Sequence, residues 1–270
     1  MAVLNALRQT PRALQRNPVL FVPVLAIVLF QIPQVALQTI SPLVASVVSL
    51  ALSLLFVFVL PFFQAGIVGM ADEALDGRTS IGRFVGAGKE HYVSMLVAYL
   101  VVVAVNFVLG LAAFFVALPV GFAFLGDFGG VGVVVLAIVA VVGALVVLGY
   151  LLFAFFVQFY GQAIVLDGLG PVDGLKHSVS VVRHHLVSTL GYTVLVGVVG
   201  GVAGGVFGVA SILVSPRSSA ALALPHLSVA ASVGVAFLLV VFGTLFGGFF
   251  AVYSVSFYRT LTRPAGATSA

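Results

Sequence analysis

The stretch DGLGPVDGLKHSVSVVRHH, residues 167–185, gathers Asp167, Asp173, Lys176, His177, Arg183, His184 and His185 in a chain that is otherwise almost wholly apolar. Imidazole and carboxylate groups at this density are the raw material of a metal site or of acid–base catalysis. The spacing argues against both. On a helix Asp173 and His177 share a face and His184 joins them, but His185 points elsewhere. Neither a cysteine nor a His-Glu-x-x-His pair accompanies them. A polar helix face at a membrane surface explains the same pattern with fewer demands.

Other chemical motifs fail in similar ways. RFVGAGKEH at 83–91 superficially resembles a phosphate loop. Such a loop needs a glycine where Arg83 stands and Ser or Thr where Glu90 stands. There is no Gly-x-Ser-x-Gly elbow, and no acidic pair lies inside an apolar run. The sequence therefore predicts a protein that is not an enzyme and that needs neither a metal nor another cofactor. Nucleic acid is not an expected partner.

Two further groups of residues have roles within the apolar runs. Gln64, Asn106, Gln158 and Gln162 are the notable polar side chains there, and hydrogen bonding between helices is their expected role. GVVGGVAGGVFG at 197–208 carries two ladders, Gly197/Gly201/Gly205 and Gly200/Gly204/Gly208. Small residues at every fourth position admit a neighbouring backbone at close range, and Gly243 and Gly247 are expected to supply the facing surface. Close packing within the chain is the first expectation; a seam with a second copy is the alternative.

The elements that must position these groups follow from the apolar runs. Of 270 residues, 62% are hydrophobic and only 7% charged. A soluble domain carries about a quarter charged residues, so a bilayer is the natural solvent here. Residues 17–71, 92–126, 128–166, 186–216 and 218–258 lack Asp, Glu, Lys and Arg, and TISPL at 39–43 divides the first run with a turn. Each run is long enough for a helix of ~20 residues crossing ~30 Å. The expectation is an all-α integral membrane protein with six transmembrane helices, near 18–40, 43–70, 92–118, 131–165, 186–214 and 228–257. A basic amphipathic segment at 1–17 precedes them and a short tail at 259–270 follows. The first span is read as retained, because its polar lead is long and no small-x-small cleavage site follows promptly.

Six spans bring both termini to one side, together with ten of the eleven basic residues; Arg217 alone falls opposite. The positive-inside rule then places that side in the cytoplasm of a cell membrane. On it, Arg8, Arg12, Arg16, Arg83, Lys89, Lys176 and Arg183 are candidates for contact with lipid headgroups, anionic ones above all.

A shift of 94 residues superposes KEHYVSML (89–96) on RHHLVSTL (183–190), and aligns Glu73 with Asp167, Lys89 with Arg183 and His91 with His185. Each unit reads as an inbound span, an acidic exit, an amphipathic segment at the cytoplasmic interface and an outbound span. In the second unit Leu175, Val179, Val182 and Leu186 form the apolar face; in the first, Ile81, Phe84, Val85 and Tyr92 do. At the N-terminus Val3, Leu7 and Leu14 oppose the arginine stripe. The repeated charges predict interfacial pairs in which Glu73 and Asp167 each lie near a base, Lys89 or Arg183.

GQAIVLDGLGPVDGLKHSVSVVRHHLVSTLGY at 161–192 resembles the membrane domain found fused to some glycerophosphodiester phosphodiesterases, and related uncharacterised multi-pass proteins of archaea. Asp167, Gly170-Pro171, Ser178 and Arg183 carry the likeness. The resemblance implies a polytopic domain without the phosphodiesterase catalytic unit. The expected function is a non-catalytic membrane module binding lipids or a partner protein. A permease-like component moving a small or lipidic substrate is the alternative, and a homo-oligomer is an allowed state.

Overall fold

The computed structural model describes residues 2–30, 42–125, 133–214 and 227–263, and every regular element among them is a helix. In chain order these are α1 (Ala2–Arg16), a 3-10 turn (Pro18–Leu20), α2 (Phe21–Phe30), α3 (Pro42–Asp76), α4 (Ile81–Glu90) and α5 (Tyr92–Leu125). There follow α6 (Val133–Val157), α7 (Tyr160–Leu166), α8 (Pro171–His184), α9 (Leu186–Val214) and α10 (Val229–Thr262). Local chemistry sets several of the boundaries. Pro18 and Pro171 open their elements, where a missing N–H costs nothing. Ser80 and Ser228 cap α4 and α10 by accepting from the backbone N–H of Arg83 and Ala231. Gly168, at φ 65°, makes the left-handed turn between α7 and α8.

Five helical stretches are long and apolar enough to cross a bilayer: Ser46–Asp76, Tyr92–Leu118, Ala137–Leu166, Leu186–Leu213 and Ala230–Thr262. A sixth is added if the pair Val3–Arg16 and Pro18–Phe30, bent by 96°, counts as one. Of the span expected at 18–40, the described part ends with α2. Its remainder, the turn at Ser41, Arg217 and the tail beyond Arg263 lie outside the described residues.

The helices differ from the apolar runs in two ways. First, α3 continues to Asp76 and α10 to Thr262, past the expected ends at 70 and 257. A helix need not stop where hydrocarbon ends, because its backbone bonds remain satisfied and its carboxylates and guanidiniums are then at the interface. Second, the run at 131–165 is two helices, broken at Gln158 and Phe159.

Burial is concentrated at one end of the bundle. One cluster joins Ala6, Phe159, Val182, Tyr192, Tyr253 and Phe257; a second joins Leu14, Leu20, Met70, Phe84 and Val255; a third joins Ala65, Met95 and Ile164. Between Ala98 and Val157 no described residue is buried. The packed end is the one formed by α1, α4, α7, α8 and the last turns of α10. It also carries the described basic residues.

Candidate functional site

Helix α1 has two faces with different jobs. Ala6, Thr10, Ala13, Leu14 and Asn17 are buried, and Ala6 packs with Tyr253, Phe257, Tyr258 and Leu261 of α10. Small side chains at this spacing let α1 lie close along α10. Of the expected apolar face of Val3, Leu7 and Leu14, only Leu14 is buried. Val3 and Leu7 only flank the core, and the helix docks on protein instead of sinking that side into lipid. Arg8, Arg12 and Arg16 stay exposed on the other face.

Asn17 locks this arrangement. Its buried amide nitrogen donates to the carbonyls of Ala13 (3.0 Å), Gly77 (2.9 Å) and Ala74 (3.5 Å), and its oxygen accepts from the N–H of Thr79 (2.9 Å). One side chain thus satisfies the end of α1, the end of α3 and the turn that follows. Sequence reading missed it. The signals available were an asparagine before a proline at the foot of an apolar run and a Gly-Arg-Thr turn after another.

The acidic residues also pair otherwise than expected. Among the described residues neither Glu73 with Lys89 nor Asp167 with Arg183 forms an ion pair. Arg259 reaches both carboxylate oxygens of Asp76 at 2.9 Å and lies 3.6 Å from Asp72, which Arg263 also approaches at 4.0 Å. Asp167 accepts a hydrogen bond from the Tyr258 hydroxyl and stands 3.7 Å from His177. Glu73 is exposed, and Arg183 instead sits 5.9 Å above the Phe156 ring. The cause is the extra length of α10. Its last turns, from Tyr258 at the end of the apolar run to Arg259 and Arg263 in the segment read as a tail, supply the partners of Asp167, Asp72 and Asp76.

The two helices expected at the interface, α4 and α8, pack on protein as well. In α8 the buried positions are Gly174, Ser178, Val181 and Val182, while Leu175 and Val179 are half-buried and Leu186 is exposed. In α4 they are Phe84, Ala87 and Gly88, with Ile81 exposed and Arg83 half-buried. Both faces are rotated from the expected ones toward small residues, which allow contact with a neighbouring helix. Ser178 is fully buried at the break between α6 and α7. Its hydroxyl donates to the Phe156 carbonyl (2.9 Å) and accepts from the Phe159 N–H (3.1 Å), satisfying two groups that the break frees. Its loss would leave both unsatisfied, at a cost of about 2 kcal/mol.

The polar residues within the spans divide. Gln158 exchanges hydrogen bonds with Thr193 across helices (3.1 and 3.2 Å), and Gln64 accepts from the Tyr160 hydroxyl at 3.3 Å. Asn106 turns back to the Val102 carbonyl of its own helix.

The glycine ladder of α9 is open. A Cβ built on Gly197, Gly200, Gly201, Gly204, Gly205 or Gly208 would meet nothing within 4 Å. Gly247 faces Val24 of α2, and Gly243 faces Phe207 and Val28, so neither meets the ladder. Gly247 is nonetheless closely packed, its Cβ position 2.8 Å from Val24, and so are glycines that the sequence reading did not single out. A Cβ on Gly66 would lie 2.4 Å from the Phe84 ring, one on Gly69 2.5 Å from Ala87, and one on Gly174 2.6 Å from Ile164.

Two open grooves mark the polar end. One is lined by Asp167, His177, Ser180, Val181, His184, His185, Leu261 and Thr262. In it the His184 Nδ1 lies 2.8 Å from the Ser180 carbonyl, and the backbone of His185 ends α8. No group of three His, Cys, Asp or Glu side chains among the described residues is placed to hold a metal ion. The other groove is lined by Gln15, Arg16, Gly77 and Arg78.

Long apolar helices, a packed polar end and exposed arginines define a multi-pass helical protein of membrane-embedded character. The model of a family described as a domain of unknown function (DUF7847) matches residues 1–261, and the chain belongs to that family. Neither a curated protein nor a solved structure is matched by the chain.

Proposed function

We propose that the chain is a non-catalytic membrane module whose basic end seats on anionic lipid headgroups. The observation that carries this reading is α1. It is clamped to the bundle by one face, lies at 96° to α2, and presents Arg8, Arg12 and Arg16 together on the other. Each such arginine contributes about 1 kcal/mol of attraction to an anionic surface. Lys89, Lys176 and Arg183, exposed at the same end, extend the surface, with half-buried Arg83 beside them. Both grooves lie at this end, away from the mid-membrane depth that a permease-like path requires.

We read six crossings. Asn17 bonds to the end of α3 and α1 lies along the end of α10, so the chain begins and ends its passage on one side. Five long helices are an odd number, and the segment opened by α2 supplies the sixth. The charge bias favours the cytoplasm for that side. The internal repeat is supported by two helix ends: α4 stops before His91 and α8 before His185, positions related by the 94-residue shift. The archaeal assignment and the kinship with phosphodiesterase-linked domains rest on the resemblance of residues 161–192 alone. The open ladder of α9, with nothing among the described residues within 4 Å of its Cβ positions, leaves room for a second copy or a membrane partner.

The test is the melting midpoint of the full chain in lipid nanodiscs. Discs containing an anionic phosphatidylglycerol should raise the midpoint above that in neutral phosphatidylcholine. The gain should shrink as salt rises and fall by more than half in an Arg8→Ala/Arg12→Ala/Arg16→Ala variant. Equal midpoints in the two lipids would remove the headgroup account.

A further inference from the structure

Arg16 and Arg78 come from distant parts of the chain yet line one groove, with the Gln15 side chain and the Gly77 turn beside them. Asn17 sets their register. It follows Arg16 directly, and its bonds to the Gly77 carbonyl and the Thr79 N–H hold the backbone on both sides of Arg78. Both arginines are exposed, and among the described residues neither side chain takes part in a hydrogen bond or an ion pair. Of the carboxylates close in sequence, Asp72 and Asp76 answer Arg259 and Arg263, and exposed Glu73 forms no ion pair with Arg16 or Arg78. Two arginines thus line one groove, with no ion-pair partner among the described residues, where α1 gives way to α2.

We propose that Arg16 and Arg78 form a clamp for a single phosphate group, with a terminal phosphomonoester preferred over a phosphodiester. The proposal rests on the lipid-binding reading above and gives it a particular headgroup chemistry. A guanidinium fork matches a pair of phosphate oxygens, and two forks are served better by three free oxygens and a higher charge than by two oxygens that they must share. A phosphomonoester offers three, with a charge of about −1.5 to −2 at neutral pH. A phosphodiester offers two and a single charge. Arg8 and Arg12, further along α1, belong to the general basic surface and not to the clamp.

The experiment uses the full chain in phosphatidylcholine nanodiscs doped with phosphatidic acid or with phosphatidylglycerol at matched surface charge. The melting midpoint is followed against the doped fraction. Half-maximal stabilisation should need about tenfold less phosphatidic acid than phosphatidylglycerol, a modest return for one extra charged hydrogen-bond pair. Arg16→Ala/Arg78→Ala should abolish that preference and lower the response to both lipids equally, leaving the part due to Arg8 and Arg12. Arg8→Ala/Arg12→Ala should weaken the shared response and leave the preference. Arg16→Lys/Arg78→Lys, which keeps the charge without the fork, should lose most of the preference. Saturable stabilisation by inorganic phosphate in undoped discs, absent from the alanine pair, would support the clamp with a soluble phosphomonoester as its ligand. Equal response to the two lipids, or a preference surviving in Arg16→Ala/Arg78→Ala, would overturn it while leaving the lipid-binding reading intact. If no anionic lipid and no phosphate raises the midpoint, both readings fail together.

Discussion

Asn17→Ala should destabilise the protein by about 3 kcal/mol, read as a fall of several degrees in the melting midpoint in detergent. The amide closes the last turn of α1, reaches the carbonyls at the end of α3 and takes the Thr79 N–H, all from a position 2% exposed. Alanine would strand the Thr79 N–H and the Gly77 carbonyl in a half-buried turn and remove the bond to the buried end of α1. It would also free the turn holding Arg78. Asn17→Asp is expected to do at least as much damage. It keeps the bond from Thr79 but sets a carboxylate against the carbonyl oxygens of Ala13 and Gly77. A midpoint for Asn17→Ala within a degree or two of the parent would show that α1 is held by its contacts with α10 alone.

The second large effect is a contrast between glycines. Gly66→Ala would place a methyl group 2.4 Å from the Phe84 ring and 2.7 Å from the Phe84 carbonyl oxygen. The ring can turn, but the carbonyl belongs to the backbone of α4, so relief means displacing that helix. A cost of about 3 kcal/mol is expected. Gly201→Ala should act in the opposite direction. Its Cβ meets nothing within 4 Å, so the helix-propensity gain of about 0.5–1 kcal/mol is unopposed. Melting midpoints of the two variants, purified identically, decide the matter. Destabilisation by Gly201→Ala would mean that another chain covers the ladder of α9, and tolerance of Gly66→Ala would contradict the α3–α4 contact.

These two cases also show which part of the structure was legible in the sequence. Apolar runs free of charge announced the long helices, because an unpaired charge in hydrocarbon is costly and its absence is easy to see. The turns after Asp76 and Leu166 were marked by Gly, Ser and Pro. The packed end was not legible. Hydropathy scores transfer into lipid, so it drew attention to Val3, Leu7 and Leu14 and passed over Ala6, Thr10 and Ala13, whose small size is what lets α1 approach α10. The same bias favoured the long ladder of α9 over the isolated Gly66 and Gly174, although a glycine matters only where a neighbour presses on it. Arg259 was placed in a tail because the apolar run ends at Tyr258, yet the helix continues and carries it to Asp72 and Asp76. Asn17 was hidden for a related reason: its partners are backbone groups far along the chain, and no pattern of side chains records them.

The central claim is that the packed end, with its exposed arginines, is the cytoplasmic face of the protein. The chain contains no cysteine, so single introduced cysteines report sidedness directly. Glu90 and Asp173 are exposed at the packed end, and Arg217 is the lone basic residue assigned to the opposite side. In intact cells treated with a membrane-impermeant maleimide, Glu90→Cys and Asp173→Cys should stay unlabelled until the membrane is opened, and Arg217→Cys should label at once. Labelling of Glu90→Cys and Asp173→Cys from outside, with Arg217→Cys protected, would contradict the account.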